Sequence, residues 1–142
     1  MRTILTALAM IVSLTACAAG DVPSAPSLAG TEWVLKAMPG WVMAKAPQIP
    51  TLHFQSDGQV GGRGGCNSWG GSYELKGTSV RFGQMRTTLM ACAYGMDVEG
   101  RFHEMLRQAR TLTVNGDTLT LGNGDGELAT FFRASTAVPP QR

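Results

Sequence analysis

Arg110-Thr111-Leu112-Thr113-Val114-Asn115-Gly116-Asp117-Thr118-Leu119-Thr120-Leu121-Gly122 alternates apolar and polar residues on both sides of an Asn-Gly pair. Period-two alternation marks a strand buried on one face, and Asn-Gly is the favoured pair for a two-residue type I′ hairpin loop. A loop of Asn115 and Gly116 sets Leu112 opposite Leu119, with Val114 and Leu121 on the same face. The stretch is therefore a β-hairpin.

Downstream, a Gly-rich turn at Gly122 to Gly126 leads into a last strand, Glu127 to Arg133. Upstream the period changes. Val98, Phe102, Met105, Leu106 and Ala109 fall on one face at helical spacing. Asp97 is the expected N-cap and Glu99 suits the first turn. Arg107 and Arg110 lie near the negative C-terminal end. Before the helix, Gly71 to Leu75 and Ser79 to Gln84 form a second hairpin, turning near Lys76-Gly77. Thr51-Leu52-His53-Phe54-Gln55 alternates and then turns at Ser56-Asp57-Gly58. A two-residue loop there pairs Phe54 with Gly61. A three-residue loop with Gly58 left-handed pairs Phe54 with Val60 and keeps an apolar pair on one face, so it is the expected register. Thr31 to Met38 reads as the first strand. The 18 glycines suit a β-rich fold with many turns.

The N-terminus carries an address. Met1-Arg2-Thr3 is a short basic start, and Ile4 to Leu14 is apolar except for Thr6 and Ser13. A bilayer span needs about 20 apolar residues, so this run suits the core of a secretory signal peptide instead. It ends in Leu14-Thr15-Ala16-Cys17, the lipobox pattern of a lipoprotein signal peptidase site. Residues 1–16 are then a signal peptide, cut before Cys17, and Cys17 carries lipid. Ala18, in place of Asp, matches outer-membrane sorting in a Gram-negative cell. The expected location is the lipid-anchored envelope, at the outer membrane facing the periplasm. Residues 17–27 are small, Pro-containing and without large apolar side chains, so they serve as a tether reaching on the order of 17 Å. Residues 28–133 form the domain, and 134–142, with Pro139-Pro140, a loose tail.

Removing residues 1–16 takes away one charge, Arg2, and lowers the formal net charge from +2 to +1. No run of Lys or Arg appears, so a nucleic-acid footprint is absent. The expected partners are the membrane, through the N-terminal lipid, and an unidentified envelope protein.

Several motifs in order resemble one family. Leu28-Ala29-Gly30-Thr31-Glu32-Trp33-Val34-Leu35 looks like the opening of a META domain, of the heat-shock HslJ-like type (DUF306). Phe54 with Asp57-Gly58 is similar to its next segment. Gly65-Cys66-Asn67, continuing to Gly71-Ser72-Tyr73, resembles its central signature, and Thr88-Leu89-Met90-Ala91-Cys92 its second. Glu99, Phe102 and Leu106 fit the family's helix, and Leu119-Thr120-Leu121 its late strand. Trp69 departs from the pattern, where a smaller aromatic residue is expected. The resemblance covers Leu28 to Arg133. It implies an α+β fold: a curled, largely antiparallel sheet, half-barrel-like, with one helix packed against it. It implies no enzyme activity and no cofactor. It also implies a disulfide between Cys66 and Cys92. The compartment agrees: with lipid on Cys17, two cysteines remain where pairing is the default. Members are linked loosely to heat shock, antibiotic tolerance, motility or virulence.

Sharper chemistry meets blander explanations. A thiol enzyme would set Cys66 or Cys92 beside His53 or His103, but the oxidising compartment favours a disulfide. Glu99 and His103, four apart on the helix, suit a metal or a solvated pair. Met85, Met90, Met96 and Met105 flank Cys92 and His103 and raise a Cu(I) site, yet Met also fills gaps in cores. The expectation is no metal and a non-enzymatic binding or stabilising role in stress or antibiotic tolerance. The alternatives are a periplasmic inhibitor of a lysozyme or protease, or a copper-binding protein. Gly61 to Gly71 is the candidate binding loop, with Asn67 and Trp69 in it and Tyr73 just beyond it, although core packing is the favoured reading of Trp69.

Overall fold

A computed structural model describes residues 26–41 and 47–134. The signal peptide, Cys17, the tether up to residue 25 and the tail from residue 135 lie outside the described residues. The described elements are β1 (Thr31–Ala37), β2 (Thr51–Phe54), β3 (Gln59–Arg63), β4 (Ser68–Lys76), β5 (Ser79–Phe82), β6 (Arg86–Thr87), α1 (Met96–Gln108), β7 (Thr111–Asn115), β8 (Thr118–Asn123) and β9 (Gly126–Arg133).

All strand pairings are antiparallel, and they run β3-β2-β1-β9-β8-β7-β5-β4. β3 also pairs β4, so the eight strands close on themselves, and β6 hangs on β4 outside the ring. The expected half-barrel is corrected to a closed barrel. The seam lies between β5 and β7, where Ser79 pairs Thr111. Val80 N–H donates to Arg110 O at 2.9 Å and Leu112 N–H to Thr78 O at 2.8 Å. Closure leaves no long row of unpaired backbone groups for another chain to join. Two bulges tighten the curl, one between Leu35 and Ala37 and one opposite Leu121–Gly122.

Alternation builds the interior. Trp33 and Leu35 of β1, Leu52 and Phe54 of β2, Val60 of β3 and Trp69 of β4 point inward. Leu112, Leu119, Leu121, Ala129 and Phe131 complete the wall. α1 buries Val98, Phe102, Met105 and Leu106. Phe102 stands 6.5 Å from Phe131 and 5.7 Å from Trp69, ring centre to ring centre. The helix thus packs where β3 hands over to β4 and joins one continuous core. Its start differs from expectation. Gly95, at φ 94°, is the N-cap and Asp97 sits inside the first turn. A Cβ at Gly95 would meet Gly65 O at 2.7 Å, so close packing against the β3–β4 connection selects glycine there.

The two hairpin registers had different outcomes. Phe54 pairs Val60 around Ser56-Asp57-Gly58, with Gly58 at φ 77°, as expected. The hairpin of β7 and β8 turns one residue later than expected, on Gly116-Asp117. Leu112 therefore pairs Leu121, and Val114 pairs Leu119. Only Gly116 has a positive φ, 57°, whereas a type I′ turn on Asn115-Gly116 would require it of Asn115 too. The expected register would also have set Val114 against Asp117. The observed one makes two apolar pairs, and because the slip is even, every side chain keeps its face.

Candidate functional site

The residues from the two signature motifs meet around one buried carboxylate. Glu99, in the first turn of α1, is 6% exposed. Its Oε2 accepts the backbone N–H of Cys66 at 3.1 Å and of Asn67 at 2.6 Å, and Oε1 accepts Asn67 Nδ2–H at 3.1 Å. Three donors and the positive end of the helix offset the cost of burying the charge. The preceding glycines make room. A Cβ on Gly64 would meet Glu99 Cγ at 2.9 Å, and one on Gly65 would meet Gly95 O at 2.7 Å.

Asn67 is the second hub, 2% exposed. Its Oδ1 accepts Thr88 Oγ1–H at 2.8 Å and Met90 N–H at 2.7 Å. Nδ2 donates to Met90 O at 3.3 Å as well as to Glu99. These contacts use the full capacity of a side-chain amide, two acceptor and two donor positions. Cys66 and Cys92 are joined, with Cα atoms 6.0 Å apart. Asn67 and the disulfide together fasten the segment after β6 to the β3–β4 connection.

The fastened segment is polar inside and apolar outside. Leu89 is 95% exposed and Tyr94 67%. Met90 and Met96 are about half exposed. An exposed leucine alone needs no explanation. Four large exposed apolar side chains within residues 89–96, beside a stretch tied down at Thr88, Met90 and Cys92, are a different matter.

Several expected sites come apart. Gly61 to Gly71 is not an exposed loop. Its ends belong to β3 and β4, and Asn67 and Trp69 are buried. Trp69 donates its indole N–H to Arg63 O at 3.3 Å and packs 5.9 Å from His103. Tyr73 is half-buried, 4.9 Å from the Phe54 ring, and burial raises its phenol pKa first, with Asp57 adding to the rise. Glu99 and His103 are not a solvated pair, since Glu99 faces the backbone of Cys66 and Asn67. The His103 pKa is lowered chiefly by burial, against the pull of Glu99 and with the push of Arg107. His103 Nε2 is buried without a hydrogen-bond partner. Cys66 and Cys92, bonded to each other, present no thiolate. His53 lies on the outer face of β2, away from the core. The four methionines divide between interior and solvent: Met105 and Met85 pack with the core, Met90 and Met96 do not. Among the described residues no three His, Cys, Asp or Glu side chains gather as a metal site would need.

The Glu99 cradle carried a signal in the sequence. Glu99, Phe102 and Leu106 share the buried stripe of α1, and an acid on that stripe implies donors brought to it.

A family model for the META domain matches residues 26–136. The chain belongs to the META domain family. No enzyme activity is known for META domains. The fold recurs in solved structures. An NMR structure of a protein from Burkholderia xenovorans is 26% identical, with a TM-score of 0.62, over 89% of this chain and 99% of that one. A second protein solved by NMR is 20% identical at a TM-score of 0.62, covering 78% and 95% of the two chains. A crystal structure of a DUF4847 family protein from Bacteroides vulgatus ATCC 8482 is 14% identical at a TM-score of 0.53, over 75% and 94%. No curated protein matches by sequence. In this META domain, Asn67, Glu99, Thr88 and the cysteine pair of the motifs turn toward one another.

Proposed function

We propose that this META domain is the folded part of a cell-envelope lipoprotein. It works by binding rather than catalysis, in the stress or antibiotic tolerance to which the family is loosely linked. The observation that carries the binding reading is the segment Thr88–Met96, braced from within by Asn67 and Cys92 and exposing Leu89, Met90, Tyr94 and Met96. A rigid apolar surface associates with a protein partner at low ordering cost. Leu14-Thr15-Ala16-Cys17 supports the anchor, and Ala18 in place of Asp supports an outer-membrane location facing the periplasm.

A photocrosslinking side chain at Leu89 in intact cells tests the reading, with Lys76 at the end of β4 as control. The expected result is one adduct of defined mass at position 89, none at 76, and loss of membrane association in Cys17→Ser. Equal labelling at both positions would contradict the binding surface. A soluble wild type on fractionation would contradict the anchor.

The nearly full exposure of Leu89 on a braced loop also favours a second reading, a periplasmic protease inhibitor, since such a loop offers one side chain to a specificity pocket without collapsing. Titration against envelope proteases separates the two. Stoichiometric inhibition abolished by Leu89→Asp selects the inhibitor.

A further inference from the structure

The outer face of the barrel carries a second surface, remote in character from the apolar segment. Strand pairing lines up one residue from each of five strands: Glu32 with His53, His53 with Gly61, Gly61 with Gly70, and Gly70 with Arg86. Charged or hydrogen-bonding side chains stand at both ends of this row, and its centre is bare. At a strand spacing of about 4.8 Å, the backbones of His53 and Arg86 lie roughly 14 Å apart across the two glycines. The groove so formed encloses about 890 Å³.

The two glycines are not equivalent. Gly61 is required by packing, because a Cβ there would meet Trp69 O at 2.7 Å. Gly70 is not. Its φ is not in the positive range, and a Cβ would find nothing nearer than Val60 O at 3.9 Å. A glycine in a strand interior costs conformational entropy and forgoes a cross-strand side-chain contact. When the fold does not demand one, the remaining physical use is the empty space above it, where a ligand approaches the backbone.

The rim says what fills that space. Arg63 follows Gly61 on the same face, so two guanidinium groups, Arg63 and Arg86, border the groove. Neither takes part in an ion pair or a side-chain hydrogen bond among the described residues. The rest of the rim is hydrogen-bonding, with Gln59, Ser68, Ser72 and Gln84 beside His53 and Glu32. No exposed large apolar side chain lies in it. A ligand here has many hydroxyls and an anionic group that a guanidinium fork can grip.

We propose that the groove over Gly61 and Gly70 is a binding site for a sugar that bears a carboxylate or a phosphate, its anion on Arg86 or Arg63 and its hydroxyls on the glutamine, serine and histidine rim. This goes beyond the protein-binding reading and stands independently of it, on the opposite chemistry.

Amide NMR titrations of the purified protein test it with four probes: a uronate oligosaccharide, a sugar phosphate, a neutral oligosaccharide of the same length, and a tri-glutamate peptide. The expected result is saturable shifts at His53, Gly61 and Gly70 with at least one anionic sugar, and about tenfold weaker binding of the neutral one. The preferred anionic probe distinguishes carboxylate from phosphate. Gly70→Val fills the groove without a backbone clash and abolishes the shifts. Arg86→Gln, at an exposed side chain, weakens binding about tenfold and serves if the valine variant does not fold. Three results would overturn the proposal: no saturable shift with either anionic sugar, equal or tighter binding of the peptide, or binding that survives both variants.

Discussion

Two adjoining regions of this barrel reverse the usual placement of polar and apolar groups. Around α1 and the β3–β4 connection, a carboxylate and an amide are buried. Immediately beside them, Thr88–Met96 holds Leu89, Met90, Tyr94 and Met96 in solvent. The same hydrogen bonds create both regions, because the Thr88 and Met90 groups that Asn67 captures belong to the backbone and side chains of the exposed stretch. Buried polarity here is the means by which exposed apolar surface is kept from collapsing onto the core. A fully satisfied buried network specifies one geometry, and a partly satisfied one is worse than an apolar substitute.

Four changes break or sharpen that contrast. The largest effect is expected of Glu99→Ala. It leaves the N–H groups of Cys66 and Asn67 buried without an acceptor, at about 1–3 kcal/mol for each orphaned group, so about 4 kcal/mol in all. Chemical denaturation reads it, and a loss under about 1 kcal/mol would mean that the carboxylate is not holding the connection. Next comes the disulfide. Cys66→Ser removes a cross-link closing about 27 residues, worth about 3.6 kcal/mol in the chain-entropy treatment. The double variant with Cys92→Ser should unfold at nearly the same midpoint as either single one, since all three lack the same bond.

A smaller effect belongs to His103. Burial lowers its folded pKa, so the native state binds fewer protons than the unfolded chain once pH falls below about 6.5. Stability contributed by the neutral ring is therefore full above that pH, declines as pH drops toward the folded pKa, and levels off below it. Thermal midpoints from pH 8 to 5 should show this decline in the wild type and a shallower one in His103→Gln. Parallel curves would remove His103 from the account. The smallest effect is expected at Leu89. Leu89→Asp should change stability by no more than about 0.5 kcal/mol, because the side chain touches little of its own protein. A larger loss would mean that the patch is structural and would narrow the contrast.

Legibility in the sequence followed the range of the interaction. Local rules placed β1, the strand at Glu127, the helix stripe and the Gly58 loop, because each depends on neighbours a few residues apart. The hairpin at Gly116 was placed but slipped, since the Asn-Gly rule ignores whether Val114 ends opposite Leu119 or Asp117. Barrel closure was not legible: Ser79 meets Thr111 with a helix between them and no turn to mark the pairing. The Asn67–Glu99 hub spans 32 residues, and a loop reading of the motif segment leaves no place for an inward Asn67, whereas core packing of Trp69 is legible from its size and apolar ring. The resemblance supplied the Cys66–Cys92 pairing that local pattern alone does not carry. The groove over Gly70 is not legible in the sequence, because its partners become neighbours only through the register of five strands.

Native-state hydrogen exchange at the Met90 amide tests the central contrast most directly. That N–H donates to Asn67 Oδ1 at 2.7 Å although its own side chain is about half exposed. If the buried network braces the exposed stretch, Met90 N–H exchanges as slowly as the Leu112 and Leu121 amides of the barrel wall, and Glu99→Ala accelerates it more than it does those. Exchange of Met90 N–H at the rate of an open loop in the wild type would contradict the account.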